Sequence, residues 1–187
     1  MKKILWVFVL LFIGCAPTLS QQKQFTFEDG ARLFTLTVDQ KEIKSEANDF
    51  LYKNDDFQIS MQINSRAVKF VYVNTSKALQ RFIWEESAIV APDGTASRLG
   101  NANVTWAGRN NPIAASLIPS NSKFNDVAFP MDNLNFTDRL ILNDMFTFPI
   151  KTVTNIRLLL SLEVNAQKIQ KEFVFTANPT LEIPVRN

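Results

Sequence analysis

The sequence predicts an all-β domain built as an antiparallel sandwich. Three observations predict it. Apolar residues recur with period two in several segments, turn-forming residues fall between those segments, and no long amphipathic helical pattern interrupts them. Period two is the spacing of a strand with one buried face, and Phe, Val, Ile and Thr suit a pleated, half-buried surface.

The pattern starts at Gln24. Phe34, Leu36 and Val38 alternate with Thr35, Thr37 and Asp39. Phe57, Ile59, Met61 and Ile63 alternate with Gln58, Ser60, Gln62 and Asn64. Asn64-Ser65-Arg66 then separates this row from Val68 to Val73, which predicts a hairpin. Pro92-Asp93-Gly94 predicts a tight turn after the apolar segment of Phe82, Trp84 and Ile89, because proline presets its backbone angle and glycine accepts positive φ. Arg109-Asn110-Asn111-Pro112 and Pro119-Ser120-Asn121-Ser122 bracket a short apolar stretch, Ile113 to Ile118, and Pro130 ends another. Prolines confine these segments to loops and edge strands. Phe136 to Ile150 reads as irregular, with Leu140, Ile141, Asp144 and Met145 spaced for one helical turn or two. Leu158, Leu160, Leu162 and Val164 form the last long row, and Asn165-Ala166-Gln167 joins it to Lys168 to Phe175 as a second hairpin.

The run Val71-Tyr72-Val73-Asn74-Thr75-Ser76, followed by Phe82 and Trp84, resembles a strand-turn-strand unit of several bacterial envelope sandwich domains. With strands at regular spacing, it makes an immunoglobulin-like sandwich the expected arrangement.

The N-terminus is of a different kind. Lys2 and Lys3 precede an apolar run from Ile4 to Ile13, closed by Gly14 and Cys15. A charged start, a short apolar stretch and a small residue before a cut site make an export signal. The run is half the ~20 residues that a membrane-spanning helix needs. Phe12-Ile13-Gly14-Cys15 resembles the lipobox of bacterial lipoproteins, with Phe12 where that class prefers Leu. The resemblance implies cleavage before Cys15 and acylation of Cys15. Ala16, where inner-membrane members carry Asp, implies the periplasmic face of an outer membrane. Ala16 to Lys23 reads as a short polar tether, at most about 28 Å long at ~3.5 Å per residue. The expected organisation is a signal over 1–14, a lipidated Cys15 with its tether over 15–23, and one domain over 24–187.

Composition narrows the function classes. The chain has 20 basic and 18 acidic residues, and removing Lys2 and Lys3 with the signal leaves 18 of each. A near-neutral domain is no electrostatic match for nucleic acid. There is no histidine, and Cys15 is the sole cysteine. Ser-His-Asp and Cys-His catalysis are therefore excluded, as are the common zinc sites. Carboxylate pairs and Ser-Lys arrangements leave no readable signature. No catalytic residue, cofactor or metal is expected.

Four local features invite a sharper reading. Trp84-Glu85-Glu86 sets two carboxylates beside a tryptophan, but adjacent strand residues face opposite ways, so a core Trp84 with solvated glutamates is expected. Asp132, Asn133, Asn135, Asp138 and Asp144 offer oxygen ligands, yet Leu134 and Phe136 occupy the slots that a calcium loop needs, so they read as a polar loop. Asp55-Asp56 reads as turn chemistry, and Arg98 as a surface partner of Asp93 or Glu86. Phe124, Phe129, Phe146 and Phe148 lie near proline-rich loops, where jointly exposed rings would mark a partner surface.

The leading expectation is a non-enzymatic lipoprotein of the cell envelope that binds or assembles with another envelope protein through an edge strand or loop surface. The alternatives are a small-ligand or lipid carrier and a carboxylate-based hydrolase.

Overall fold

The computed structural model describes residues 25–46, 49–136 and 140–180. Cys15, the export signal and the tether lie outside the described residues.

The domain begins with one short helix. Thr26 caps α1 (Phe27–Leu33), its side chain accepting from the Asp29 amide while the Asp29 carboxylate accepts from the Thr26 amide. This reciprocal box satisfies two otherwise orphaned donors. Gly30 is required by its neighbour: a Cβ there would lie 1.8 Å from the backbone oxygen of Ile63. Period two from Gln24 predicts a strand here, and the Thr26–Asp29 capping box makes a helix instead.

The strands follow in chain order. They are β1 (Phe34–Val38), β2 (Lys41–Ile43), β3 (Phe50–Lys53), β4 (Phe57–Ile63), β5 (Val68–Asn74), β6 (Gln80–Phe82), β7 (Ala88–Val90), β8 (Ala96–Gly100), β9 (Ser116–Ile118), β10 (Lys123–Pro130), β11 (Leu134–Phe136), β12 (Leu140–Leu142), β13 (Thr154–Val164) and β14 (Gln167–Ala177). The expected hairpins form. Asn64 closes the β4–β5 turn on Ala67, and Asn165 and Ala166, both at positive φ, join β13 to β14. Gly94 takes φ +86° in the turn between β7 and β8. The stretch read as one or two helical turns instead starts with β12, which pairs antiparallel with β11.

The expected immunoglobulin-like sandwich is not what these strands build. Ten of them form one antiparallel sheet in the order β2-β1-β14-β13-β7-β8-β10-β5-β4-β3, and that sheet curls until its two ends nearly meet. The result is a nearly closed barrel. The physical reason is that alternation reports one buried face per strand and not what the face is buried against. A second sheet and the same sheet curled on itself leave the same period-two pattern. Where β13 pairs β7 through Arg157 to Leu159 and β6 through Leu162 and Glu163, the sheet forks, and β9 extends the second branch.

The barrel interior is filled. Leu36, Phe50, Phe57, Ile59, Met61, Phe70, Tyr72, Phe82, Trp84, Leu158, Phe173 and Phe175 are all buried in one cluster. Phe70 stacks on Phe82 at 5.4 Å, and Phe57 on Tyr72 at 4.9 Å. Each such ring contributes about 2–3 kcal/mol by burial alone. Buried polar groups are paired. The Tyr72 hydroxyl donates to Gln80 Oε1 (2.6 Å), Gln80 Nε2 donates to the Asp56 carbonyl, and Asn74 Nδ2 reaches the Ala78, Ile118 and Pro119 carbonyls. Helix α1 seals one end of the barrel, with Phe25, Phe34, Phe146 and Phe148 in mutual ring contact beside it. A second, smaller cluster of Ala67, Phe129, Met131 and Leu134 lies at the β5 start, carrying the β11–β12 hairpin.

Candidate functional site

The first and last strands of the barrel order are neighbours in sequence. β2 runs away from the β1–β2 turn, the chain reverses near Glu46 and Asp49, and β3 returns. Each strand uses only one of its edges. β2 pairs β1 through Leu36–Ile43 to Val38–Lys41, and β3 pairs β4 through Phe50–Met61 to Lys53–Gln58. Between β2 and β3, among the described residues, the only ladder pair is Glu46 with Asp49, whose backbones exchange hydrogen bonds of 2.8 and 2.9 Å. Beyond that pair the hairpin is unzipped. A groove of about 490 Å³ opens there, lined by Val38, Lys41, Glu42, Ile43, Lys44, Glu46, Leu51, Tyr52 and Lys53.

The floor of the seam is closed by rings. Phe50 meets Phe175 edge-on at 5.6 Å, and Tyr52 meets Phe173 at 5.7 Å. These side chains cross from β3 to β14 beneath the gap. The seam is thus a surface cleft with a packed floor, and not the mouth of a chamber. Its open end is held by polar contacts. The Tyr52 hydroxyl donates to Asp39 Oδ2 at 3.3 Å, and Lys171 Nζ donates to the same oxygen at 2.6 Å. Burial is the largest single influence on the Lys171 ammonium and lowers its pKa, but the hydrogen bonds to Asp39 and Tyr52 lead the opposing influences, and the net shift is upward.

Chemically, the seam offers hydrogen-bonding backbone along two facing edges. Leu51, 39% exposed, points outward from β3, and Lys41, Lys44 and Lys53 line the rim. Lysines on an edge are a common guard against indiscriminate strand pairing. Tyr72, at the opposite side of the chemistry, is structural: burial first, and the nearby Asp56 charge second, push its hydroxyl far above the usual tyrosine range.

Phe124, Phe129, Phe146 and Phe148, the rings near the proline-rich loops, are not jointly exposed. Phe129 and Phe146 are buried, at 5% and 8% exposure, and Phe124 and Phe148 are half-buried against the core. Phe124 packs among Phe70, Phe82 and Trp84, whereas Phe146 and Phe148 pack on Phe25 at the helix end. Proline-rich neighbours fix where a loop turns; they do not decide whether a ring beside them faces inward.

The remaining candidates resolve as structural groups. Trp84 is fully buried, and Trp84–Glu86 form a 3-10 turn, not the strand expected. Glu85 accepts from Arg98 and from the Ile113 amide, while Glu86 accepts from Lys168 and Ser161. Arg98 therefore pairs with Glu85, not with Asp93 or Glu86. Asp144 accepts from Ser65 Oγ and Arg66 Nε, Asn133 donates to the Asn143 carbonyl, and Asp138 lies outside the described residues. Asp56 accepts from Asn165 Nδ2 at 2.8 Å, tying two turns together. Among the described residues no three His, Cys, Asp or Glu side chains gather as a metal site.

No protein family, curated protein or solved structure matches this chain.

Proposed function

We propose that this chain is a lipid-anchored envelope protein whose barrel seam receives an extended segment of a partner protein. One observation carries the docking part: among the described residues the facing edges of β2 and β3 share no ladder beyond Glu46 and Asp49 and leave an open groove. A segment laid along the free edge of β3 would take its main-chain hydrogen bonds there, and Leu51 would meet its side chains. This is strand addition, in which the backbone supplies affinity and alternate side chains supply selectivity. The polar closure by Tyr52, Asp39 and Lys171 marks the limit of the groove.

Support for the anchor lies in the first sixteen residues. The lipobox-like Phe12-Ile13-Gly14-Cys15 supports lipid attachment at Cys15, and Ala16 supports the outer membrane. The filled interior favours docking on the surface over carriage of a small molecule inside.

The test is site-specific photocrosslinking in cells. A benzophenone side chain replaces Lys44 or Leu51 in the seam, and Lys69 or Thr95 elsewhere on the barrel. The reading expects one envelope protein to crosslink from the seam positions and not from the controls. Equal crosslinking from all four positions, or none from the seam, removes it. The intact mass of the membrane-derived protein tests the anchor separately, by the acyl mass present in wild type and lost in Cys15→Ser.

A further inference from the structure

We propose that the seam is a zipper: β2 closes onto β3 in the register that Glu46 and Asp49 set, and a docking segment has to displace that closure. The consequence for docking rests on the reading of the seam as a partner site; the closure itself does not.

One pair fixes the register. Glu46 and Asp49 exchange both backbone hydrogen bonds, at 2.8 and 2.9 Å. Antiparallel strands alternate such exchanging pairs with pairs that make no bond between them. Continued from Glu46 and Asp49, the next exchanging pair is Lys44 with Leu51, and the one after is Glu42 with Lys53. The backbones of both strands point the right way for this. On β3, the Asn54 amide donates to the Phe57 carbonyl on the β4 side, so the alternate residues Leu51 and Lys53 turn their N–H and C=O groups toward β2. On β2, Lys41 pairs Val38 across the tight turn of Asp39 and Gln40, so Glu42 and Lys44 turn theirs toward β3. Four donors and four acceptors thus face one another across the gap.

The side chains fit the same register. Glu42, Lys44, Leu51 and Lys53 are exposed, whereas Ile43 and Tyr52 are half-buried against the core. Closure sets Glu42 opposite Lys53 and Ile43 opposite Tyr52. Opposite charges and apolar pairs placed directly across two strands stabilise their pairing. Among the described residues neither Glu42 nor Lys53 has an ion-pair partner, so this pair forms without breaking another. The movement is bounded, because the strands are tied at both ends, by Glu46 and Asp49 at one and by Tyr52 and Asp39 at the other. The groove of about 490 Å³ is the space that closure removes. A docked segment needs the backbone groups of Leu51 and Lys53, and so does β2; the two compete for one edge.

Paired cysteines test the closure, in the full chain carrying Cys15→Ser. Glu42→Cys with Lys53→Cys is in register, and closure brings the two Cα atoms to about 5.5 Å, within disulfide reach. Glu42→Cys with Leu51→Cys is off register, at about 7–8 Å on closure, beyond that reach. All three positions are exposed, so neither pair disturbs the core. Under mild oxidation the in-register pair should form its disulfide at least ten-fold faster than the off-register pair. Equal rates overturn the zipper. Competition is read with Cys15 intact, by benzophenone at Lys44 beside the in-register cysteines in isolated envelopes. Partner crosslinking should be lost on oxidation and return on reduction; crosslinking that persists in the locked protein overturns the competition. A reduced protein that captures no partner removes the docking reading alone, since the oxidation rates decide the zipper without it.

Discussion

Tyr52 and Asp39 join across the seam where, among the described residues, β2 and β3 are paired only through Glu46 and Asp49: the phenol on β3 donates at 3.3 Å to the carboxylate in the turn after β1. Lys171 shares the same oxygen. The Tyr52 ring is meanwhile held between Phe57 and Phe173. Tyr52→Phe should therefore keep the packing and release the bridge. Global stability is expected to fall by under ~1 kcal/mol, the range of an exposed hydrogen bond. Amide exchange along β3 should quicken several-fold while β13 and β14 are unchanged. Uniform exchange in both proteins would show that the bridge does not hold the seam.

Gly30 sits where α1 touches the end of β4. Because an added Cβ would lie 1.8 Å from the Ile63 oxygen, Gly30→Ala has to displace the helix or the strand. Backbone cannot give way as a flexible side chain can. A loss of about 1–3 kcal/mol is expected, the overpacking range. Urea unfolding measures it, and a loss under ~0.5 kcal/mol would mean α1 does not dock as described.

Much of the barrel was legible from local pattern. The rows at Phe34, Phe57 and Leu158 are strands, and the turns at Asn64, Pro92 and Asn165 are where polar and turn-forming residues put them. What period two could not report is which strands share an edge. β1 pairs β14, about 140 residues away, and β10 pairs both β5 and β8. Those pairings, and not the rows, turn a sandwich into a barrel. The α1 cap was present as Thr26 and Asp29, three apart, but the surrounding phenylalanines masked it. The seam left a fainter trace, three lysines at Lys41, Lys44 and Lys53, which by themselves also fit any solvated face. Phe136, the exposed ring, stood outside the four phenylalanines singled out, because nearness to proline in sequence carries no information on burial.

The β13–β14 turn carries a conformational cost that one substitution should relieve. Asn165 and Ala166 take φ of 51° and 61°, the left-handed pair that a two-residue hairpin favours. Asparagine tolerates this region; alanine does so at about 1–2 kcal/mol. Ala166→Gly removes the Cβ and should stabilise the domain by about 0.5–1 kcal/mol after glycine's larger entropy loss. An unchanged or lower thermal midpoint would show that the turn is not strained at Ala166.

Glu86 supplies the pH dependence. Its carboxylate is held below the ordinary glutamate range, first by the hydrogen bond from Lys168 (2.7 Å), against an opposing desolvation, and then by Ser161. A carboxyl whose folded-state pKa is depressed contributes stability above its unfolded pKa. That contribution is lost as pH falls through the folded value. Wild type should therefore exceed Glu86→Gln in stability at neutral pH, with the gap closing in acid below the ordinary glutamate range. A gap constant down to pH ~2.5 would sink the assignment, since protonation of the carboxyl must remove what the substitution removes.

Tyr72 and Gln80 provide the sharpest test of the interior. The hydroxyl lies 2.6 Å from Gln80 Oε1, both residues are essentially inaccessible, and Gln80 Nε2 is already committed to the Asp56 carbonyl and Ser76 Oγ. Tyr72→Phe keeps the ring stacked on Phe57 but strips Gln80 Oε1 of its donor. A buried acceptor without a partner costs about 1–3 kcal/mol, more than the net worth of the bond itself. Gln80→Leu in the same background should recover part of that loss, because removing both polar partners removes the stranded acceptor as well. The double variant is also the control for geometry. If it is no better than Tyr72→Phe alone, the deficit comes from packing around the ring, and the hydrogen bond is not what fixes Tyr72 against β6.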